Sequence, residues 1–322
     1  MRRKTLTLIF GLIFTSLSLS CVYGQARTPR HLIKKTIKIG KYDRTYHLFV
    51  PKGVSKNRDL PLVFVLHGGG GTGLRMERWL GFTALARKDK FIAVYPDGIG
   101  KNWNDGRETN RSRAHRENID DLAFVKEMVD EISRTYNVDE NRIFATGPSN
   151  GGFFSNFVAA QMSDTFAAIA PVIGGIADPF YKRFDPSEPV SVFFIQGTAD
   201  PLVPYNGGTV ARNRGKLIST DRAIGLWNKA NGTNKRPVRG DLPDTNRRDG
   251  CKVETYTWKN GRNQTEVVLY KAVGGGHTWP GASQYAPKFL IGGVCRDFDA
   301  TKAVWEFFKS HPKIERKPVA RK

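Results

Sequence analysis

Cysteine and histidine are scarce in this chain of 322 residues, which contains 3 cysteines and 6 histidines. The cysteines, Cys21, Cys251 and Cys295, lie far apart, and none has a second cysteine or histidine at the short spacing that structural zinc sites use. No pair of histidines has such a spacing either. We therefore expect no metal site, and we expect no cofactor.

Acidic residues are also in short supply, with 30 Asp and Glu against 51 Lys and Arg, for a formal net charge of +21. Such an excess first suggests a nucleic-acid partner. The basic residues are scattered, however, apart from the segment 110–116 and the tail 313–322, and no RNA-binding aromatic signature is present. We predict no nucleic-acid partner; the charge suits an anionic polysaccharide or a cell surface instead.

Long apolar runs are missing after the first twenty residues. A basic start precedes the apolar run 6–20, and small residues follow, which predicts a signal peptide over residues 1–24 and a secreted or periplasmic protein. The run is short for a membrane span, so no stable membrane insertion is expected. An alternative is lipidation at Cys21, although the residues before it fit the lipoprotein pattern poorly.

Removal of the signal peptide leaves two cysteines, Cys251 and Cys295. Disulfides persist in oxidising compartments, so two cysteines in an exported chain predict one bridge between them. The alternative is two unpaired, buried thiols.

Uninterrupted apolar segments alternate with amphipathic ones along the chain. This alternation predicts an α/β fold with a mostly parallel, doubly wound sheet and helices on both faces, preceded by two antiparallel strands. We expect one catalytic domain over residues 25–322 with a short basic tail, and a polar surface loop at 232–250. The predicted strands are at 31–40, 44–53, 60–66, 90–96, 141–147, 166–174, 190–197, 251–258 and 266–275, and the clearest helices are at 117–136, 221–231 and 299–310.

The segment Gly147–Gly151 reads Gly-Pro-Ser-Asn-Gly and places Ser149 between a predicted strand and a predicted helix. This is the G-x-S-x-G pattern of a nucleophilic serine. The same residues are also ordinary turn formers. Ligands of parallel sheets bind beyond the carboxyl ends of the strands, which is where Ser149 is expected.

A serine nucleophile needs a histidine base and a carboxylate that orients it. On a strand–turn–helix scaffold these partners follow the serine in the order acid, then histidine. Only His277 and His311 leave room for an acid, and His277 lies in a glycine-rich loop after a strand whereas His311 lies in the basic tail. Asp200 likewise follows a buried strand, so we predict a triad of Ser149, Asp200 and His277. The acids without that placement are Asp178, Asp185 and Asp221.

The transition state of acyl transfer carries an oxyanion that needs hydrogen-bond donors, each typically contributing about 3 kcal/mol. The N–H of Asn150, directly after the serine, is one predicted donor. The loop after an earlier strand reads His-Gly-Gly-Gly-Gly, which predicts Gly69 and Gly70 as the others.

The same loop also matches G-x-G-x-x-G, a dinucleotide-binding pattern, through Gly68, Gly70 and Gly73. Any run of glycines satisfies that pattern, and a nucleotide site would leave the ordered serine, acid and histidine unexplained. A phosphate-binding P-loop is excluded because no Gly-Lys-Ser or Gly-Lys-Thr sequence occurs.

Five ordered segments of the chain resemble the exported poly(3-hydroxybutyrate) depolymerase and feruloyl esterase group of α/β-hydrolases. The resemblance covers roughly residues 40 to 310, and Pro148 departs from it, since members more often carry Leu or Met there. It implies an α/β-hydrolase fold, the triad reached above, and a cleft for an ester of a polymer or of a plant phenolic acid. The segments are LVFVLHGGGG, YPDGIGKNWN, DDLAFVKEMVDEISRTYNVDENRIFATGPSNGG, GTADPLVPYNGG and GGGHTWPG.

Four other residues lie in the segments that resemble the family. Trp103 and Trp279 are candidates for a substrate-binding wall against an aromatic acyl group or a sugar ring, with ordinary loop packing as the alternative. Asp120 and Asp121 are expected to have a structural role at a helix start, where negative charge is favoured.

Together these features predict an exported serine esterase that acts through an acyl-enzyme on an ester-bearing polymer or oligomer, either a polyester or a plant cell-wall polysaccharide. Two alternatives are an acetyl xylan esterase acting on hemicellulose and a non-catalytic carbohydrate-binding protein with the same fold. The complete set of three catalytic residue types argues against the second.

Overall fold

A computed structural model describes residues 28–55 and 58–314. The predicted signal peptide, Cys21 and the last eight residues of the basic tail lie outside the described residues. None of the described helices is long and apolar enough to span a membrane.

A ten-stranded sheet organises the described part of the chain, in the order β1-β2-β4-β3-β5-β6-β7-β12-β11-β10. The six strands from β4 to β12 in that order are parallel, and antiparallel pairs flank them on both sides. The predicted α/β class and its antiparallel start are thereby confirmed. The strands are β1 Ile33–Ile39, β2 Tyr42–Phe49, β3 Leu60–Val65, β4 Ile92–Pro96, β5 Val138–Pro148, β6 Ala168–Val172, β7 Ser191–Gly197, the short hairpin pair β8 Gly208–Thr209 and β9 Lys216–Leu217, β10 Val238–Asp241, β11 Lys252–Trp258 and β12 Val267–Val273.

Helices cover both faces of the sheet, which explains why the central strands are apolar without alternation. In β3, Leu62 and Phe64 contribute to one core, and Val63 and Val65 contribute to the other. The first core contains residues of α4, α5 and α7, and the second contains residues of α1, α2 and α9. The helices are α1 Gly73–Leu80, α2 Phe82–Asp89, α3 Arg113–Arg116, α4 Asp121–Thr135, α5 Asn150–Gln161, α6 Asp178–Tyr181, α7 Thr220–Asn231, α8 Lys288–Ile291 and α9 Ala300–Ser310, with 3-10 turns at Ile99–Lys101 and Arg262–Gln264.

The two aspartates at the start of α4 have the predicted structural role. Asp120 caps the helix by accepting a hydrogen bond from the Ala123 N–H at 2.8 Å. Asp121 is buried, pairs with Arg44 at 2.6 Å, and accepts from the Asn104 N–H at 2.7 Å. These bonds fasten the loop before α4 to the sheet.

The predicted polar loop at 232–250 contains a strand, so the prediction was wrong for Val238–Asp241. These four residues form β10, which pairs antiparallel with β11 at the edge of the sheet. All four residues are exposed. Backbone hydrogen bonds to β11 and the contact of Arg239 with the Tyr256 ring hold the strand, and its residues have no apolar pattern that a sequence could reveal.

The predicted disulfide between Cys251 and Cys295 is confirmed, with 5.4 Å between the two Cα atoms. Both cysteines are buried and pack with Val253 and Ala272 in a small cluster. The bridge closes a segment of 44 residues that contains His277.

We expect the double variant Cys251→Ala/Cys295→Ala to unfold at a temperature several degrees below the wild type. Closing a loop of this length restricts the unfolded chain by up to about 4 kcal/mol. Turnover should fall more than substrate binding, because the loop that carries His277 loses its covalent tether. Thermal unfolding with and without a reductant measures the effect, and the variant should not respond to the reductant. Equal melting temperatures for oxidised and reduced wild type would contradict the prediction.

Candidate active site

Ser149 lies on a sharp turn between β5 and α5 with φ 56° and ψ −119°. A positive φ is uncommon for a residue with a side chain, so this conformation persists only where its surroundings enforce it. The Ser149 N–H donates to the Val172 carbonyl, and the Ser149 carbonyl accepts from the Phe153 N–H, both at 2.9 Å. The turn therefore projects the serine from the carboxyl end of β5.

The glycines of the G-x-S-x-G pattern are required by the close approach of β5 and α5 to the end of β3. A Cβ atom at Gly147 would lie 2.3 Å from the Leu66 carbonyl oxygen, and one at Gly151 would lie 2.6 Å from the same atom. Both distances are shorter than real Cβ contacts allow. Only glycine therefore fits at these two positions of the turn.

His277 and Asp200 form a buried hydrogen bond of 2.6 Å between Nδ1 and Oδ2. The other carboxylate oxygen of Asp200 accepts from the N–H groups of Leu202 and Val203, both at 2.8 Å. The His277 N–H donates to the Ile291 carbonyl. With the proton on Nδ1 directed to the carboxylate, Nε2 is left with the lone pair that a general base needs.

The three predicted catalytic residues follow strands that end at the same edge of the sheet. Ser149 follows β5, Asp200 follows β7 and His277 follows β12, and β6 alone separates β5 from β7. The hydrogen bonds among the described residues join His277 to Asp200 and do not include one from the Ser149 hydroxyl to His277. In hydrolases without substrate this bond is often long and tightens when substrate binds.

The predicted oxyanion donors differ in what they bind. The Gly70 N–H donates to the Lys101 carbonyl at 2.8 Å, so it is already engaged. Asn150 is the first residue of α5, where backbone N–H groups have no partner within the helix. Gly69 lies beside it, since a Cβ there would be 3.9 Å from the Asn150 Cβ. Gly69 and Asn150 are therefore the predicted donors that the geometry favours.

His67, at the start of the glycine loop, fixes that loop against the segment after β4. Its Nδ1 lies 2.9 Å from the Gly68 carbonyl oxygen, and its Nε2 accepts from the Gly98 N–H at 2.9 Å. Complete burial lowers the pKa of His67 to about 4. A neutral ring with the proton on Nδ1 satisfies both bonds. Gly68 in turn lies close to the nucleophile, since a Cβ there would be 3.6 Å from the Ser149 Cβ.

A second group of buried polar residues holds Asn150, and the sequence did not reveal it. The Asn150 amide donates to Asp105 Oδ2 at 2.6 Å and accepts from the Trp103 N–H at 2.8 Å. Asp105 also binds Arg107 at 2.6 Å and His115 at 3.0 Å. Burial acts to raise the pKa of Asp105, but the Arg107 charge and the His115 hydrogen bond outweigh it and lower that pKa below its usual range. Asp105 remains an anion that fixes the residue after the nucleophile.

The structure corrects the substrate-wall prediction for Trp103 and Trp279. Trp103 is 0% exposed, stacks on Phe154 at 5.1 Å between ring centroids, and donates to the His67 carbonyl at 2.9 Å. Trp279 is 1% exposed and donates to the Thr301 hydroxyl at 3.0 Å. Both indoles are packed in the core with their N–H groups satisfied, so the packing alternative replaces the substrate wall.

An exposed apolar group lies beside His277, in a segment that no sequence pattern had marked as functional. It lies in and just before α8. The carbonyl of Ile291, the last residue of that helix, accepts the hydrogen bond from the His277 backbone N–H. Partial burial and the negative charge of Asp200 raise the pKa of Tyr285 to about 12, and the Tyr285 ring packs edge-on against Trp79 at 5.4 Å. The exposed members are Tyr285, Phe289 and Leu290, of which Phe289 is 85% exposed.

This fold and this edge of the sheet define an α/β-hydrolase. A mostly parallel sheet with helices on both faces carries a strained serine turn on one edge, and a buried His–Asp pair follows later strands at the same edge.

Comparison with known proteins shows which α/β-hydrolases this chain is similar to. Residues 83–181 match the model of the prolyl oligopeptidase family. The chain is 30% identical over 275 residues to NocK of Nocardia uniformis subsp. tsuyamanensis, which is named as an esterase, and the match covers 82% of this chain and 78% of NocK. The chain belongs to the feruloyl-esterase-like group of α/β-hydrolases, and it is a carboxylic-ester hydrolase.

Other relatives are matched over a smaller share of their own length. Feruloyl esterase B of Piromyces equi is 29% identical over 70% of this chain and 41% of that protein. A protein of Aspergillus flavus named as a feruloyl esterase C is 28% identical over 53% of this chain and 60% of that protein. The solved acetyl xylan esterase of Aspergillus awamori has a TM-score of 0.53 at 16% identity, covering 74% of this chain and 92% of that one, which shows the shared fold.

We predict that His67 makes the fold sensitive to acid. The unfolded chain binds a proton at His67 near the ordinary histidine pKa of about 6.5, whereas the folded chain does so only near a pKa of about 4. The free energy of unfolding should therefore be unaffected by this residue above pH 6.5 and should fall by up to about 3 kcal/mol as the pH drops to 4. In His67→Gln this part of the pH dependence should be absent.

Urea unfolding at a series of pH values between 7.5 and 4 measures the difference between wild type and His67→Gln. His311→Gln, directly after α9, is the histidine control and should keep the fall in stability between pH 6.5 and 4, because it leaves His67 in place. Parallel curves for wild type and His67→Gln would show that His67 is not the sensitive group.

Proposed function

We propose that this chain is an exported serine esterase in which Ser149 is the nucleophile, His277 the general base and Asp200 the residue that orients the base. The observation that carries the proposal is the buried hydrogen bond from His277 Nδ1 to Asp200, on the sheet edge where the strained turn presents Ser149. Residues 25–322 form the catalytic domain in this proposal.

In the proposed mechanism, His277 Nε2 takes the proton of the Ser149 hydroxyl as the serine oxygen attacks the ester carbonyl. The N–H groups of Gly69 and Asn150 receive the oxyanion of the tetrahedral intermediate. His277 then gives its proton to the departing alcohol, which leaves an acyl-enzyme. Water then attacks the acyl group while His277 takes its proton, and His277 returns that proton to the Ser149 oxygen as the acyl–serine bond breaks and the acid is released.

We further propose that the substrates are esters of plant cell-wall polysaccharides. The names of the fungal relatives, feruloyl esterases, support this choice. The exposed apolar group of Tyr285, Phe289 and Leu290 beside His277 provides a surface for the acyl group or a sugar ring. A hydroxyalkanoate polyester, which the sequence resemblance also implies, remains the second candidate substrate.

Export is proposed from two features. The first is the predicted signal peptide over residues 1–24. The second is the Cys251–Cys295 disulfide, a bond that persists in oxidising compartments.

Ser149→Ala should lower kcat on a short nitrophenyl ester by about 10⁴-fold or more and abolish covalent labelling by a fluorophosphonate probe. His277→Ala should behave alike, because the serine loses its base. His311→Ala is the matched histidine control and should retain full activity. Mass spectrometry of the labelled protein should place the probe on Ser149. Labelling of a different serine, or an active Ser149→Ala protein with an intact fold, would falsify the assignment.

Measurement of kcat/KM on several ester substrates identifies the ester that the enzyme prefers. We expect feruloylated arabinoxylan to be cleaved with a higher kcat/KM than acetyl xylan or hydroxybutyrate oligomers. Phe289→Ala should raise KM for the feruloyl substrate by about 5- to 20-fold, the equivalent of partly burying one apolar side chain, and leave nitrophenyl acetate unchanged. Val238→Ala, which removes an exposed apolar side chain from β10, is the control. A preference for acetyl xylan or for hydroxybutyrate oligomers would replace the feruloyl assignment.

A further inference from the structure

A short turn between β8 and β9 presents two arginines, Arg212 and Arg214. The turn is closed by hydrogen bonds from the Val210 N–H to the Gly215 carbonyl at 2.9 Å and from the Arg214 N–H to the Val210 carbonyl at 3.2 Å. Arg212 and Asn213 both have positive φ, 61° and 53°. Two consecutive left-handed residues with side chains are strained, and such strain is concentrated at functional sites.

One side of this turn is attached to the loop of the proposed catalytic acid. The Ala211 N–H donates to the Leu202 carbonyl at 2.9 Å. The Leu202 N–H in turn donates to Asp200 Oδ1 at 2.8 Å. One residue therefore links the arginine turn to the carboxylate that holds His277.

The other side of the turn packs against the start of α5. A Cβ atom at Gly215 would lie 3.0 Å from the Arg107 Cβ, and the Arg107 guanidinium lies 4.2 Å above the Phe153 ring. Phe153 is one helical turn beyond Ser149 and packs with Val203, Val210 and Leu217 in a buried cluster. The arginine turn thus lies between the Asp200 loop and the helix that follows the nucleophile.

The charges of this region are not balanced within the described chain. Arg107 is neutralised by Asp105 at 2.6 Å. Arg212 and Arg214 are exposed, and the ion pairs found among residues 28–55 and 58–314 include neither of them. Partial burial, and then the positive charges of Arg212 and Arg107, lower the pKa of Arg214. The cations repel one another, and a negative charge from outside the chain would relieve that repulsion.

We propose that Arg212 and Arg214 form a subsite for a carboxylate that the substrate carries near its ester bond, so that the preferred substrates are acidic esters. The inference rests on the proposed esterase activity of Ser149. The planar guanidinium group suits a carboxylate because it donates two parallel hydrogen bonds to it. The carboxylate has two possible sources, a uronic acid residue of an acidic polysaccharide and the free end of a hydroxy-acid oligomer.

Two pairs of substrates that differ only in the carboxylate test the subsite. The first pair is acetylated galacturonic acid and acetylated galactose, and the second is a hydroxybutyrate dimer and its terminal amide. In the wild type, kcat/KM should favour the acidic member of at least one pair by roughly tenfold, the contribution expected for a charged hydrogen-bonded pair. Raising the ionic strength should reduce the preference.

In the double variant Arg212→Gln/Arg214→Gln the preference should disappear while the neutral esters are cleaved at the wild-type rate. Arg236→Gln is the matched control, since it removes an exposed arginine just before β10, whose start lies at the opposite edge of the sheet. If the double variant fails to fold, the single variant Arg214→Gln provides the same comparison. Inhibition of the wild type by free galacturonate, compared with inhibition by free galactose, provides a second one.

A higher kcat/KM for acetylated galacturonic acid than for acetylated galactose assigns the carboxylate to a polysaccharide. A higher kcat/KM for the acidic member of the hydroxybutyrate pair assigns it to an oligomer. Either result supports the subsite. Equal kcat/KM within both pairs overturns it and leaves the esterase proposal intact. A preference that survives in the double variant also overturns it. Failure to cleave any member of either pair overturns the esterase proposal itself, so the two failures are distinguishable.

Discussion

The contact between the Leu66 carbonyl oxygen and the two glycines at 147 and 151 fixes the position of the serine turn relative to the rest of the sheet. The Cβ of any other residue would lie 2.3 Å from this oxygen at position 147 and 2.6 Å from it at position 151, closer than real contacts allow. Because Leu66 immediately precedes His67 and the glycine loop, the same contact sets the distance between Ser149 and the loop that offers N–H donors. A shift of this contact would displace the nucleophile and its donors together.

Around that contact, buried polar groups of different loops bind one another, although Arg44 Nε and Nη1 have no hydrogen-bond partner among the described residues. His67 binds the Gly98 N–H, Asn150 binds Asp105 and Trp103, and Asp121 pairs with Arg44 where both side chains are about 1% exposed. Buried ion pairs contribute little to net stability, but breaking one leaves a costly unpaired charge. These pairs therefore restrict the loops to one arrangement, which suits a site that must hold its donors in place before substrate arrives.

The sequence was informative wherever the physical cause is local. Continuous apolar segments predicted the central strands because both faces of the sheet are covered, and Asp120 and Asp299 marked helix starts because each caps an N–H three residues along. The chain order of serine, acid and histidine predicted three residues that the fold brings to one sheet edge. The G-x-S-x-G pattern identified the serine turn because a side chain at position 147 or 151 would clash with the Leu66 carbonyl oxygen.

The sequence was silent or misleading where the cause lies in a distant part of the chain. Asp105 lies 45 residues before Asn150, and nothing in either segment indicates that they meet. Trp103 and Trp279 would look the same in sequence whether they lined a cleft or filled a core. The edge strand β10 depends on its pairing with β11, a distant part of the sequence, and the apolar group before and within α8 follows no helical or strand pattern.

The disulfide makes the position of one predicted catalytic residue depend on the oxidation state of the chain. When Cys251 and Cys295 are reduced, the segment that carries His277 is held to the scaffold by non-covalent contacts alone. When they are joined, that segment is fixed at both ends, and His277 Nδ1 lies 2.6 Å from Asp200 Oδ2. Ser149 lies on the turn between β5 and α5, outside the bridged segment, so the covalent constraint acts on the histidine and not on the serine.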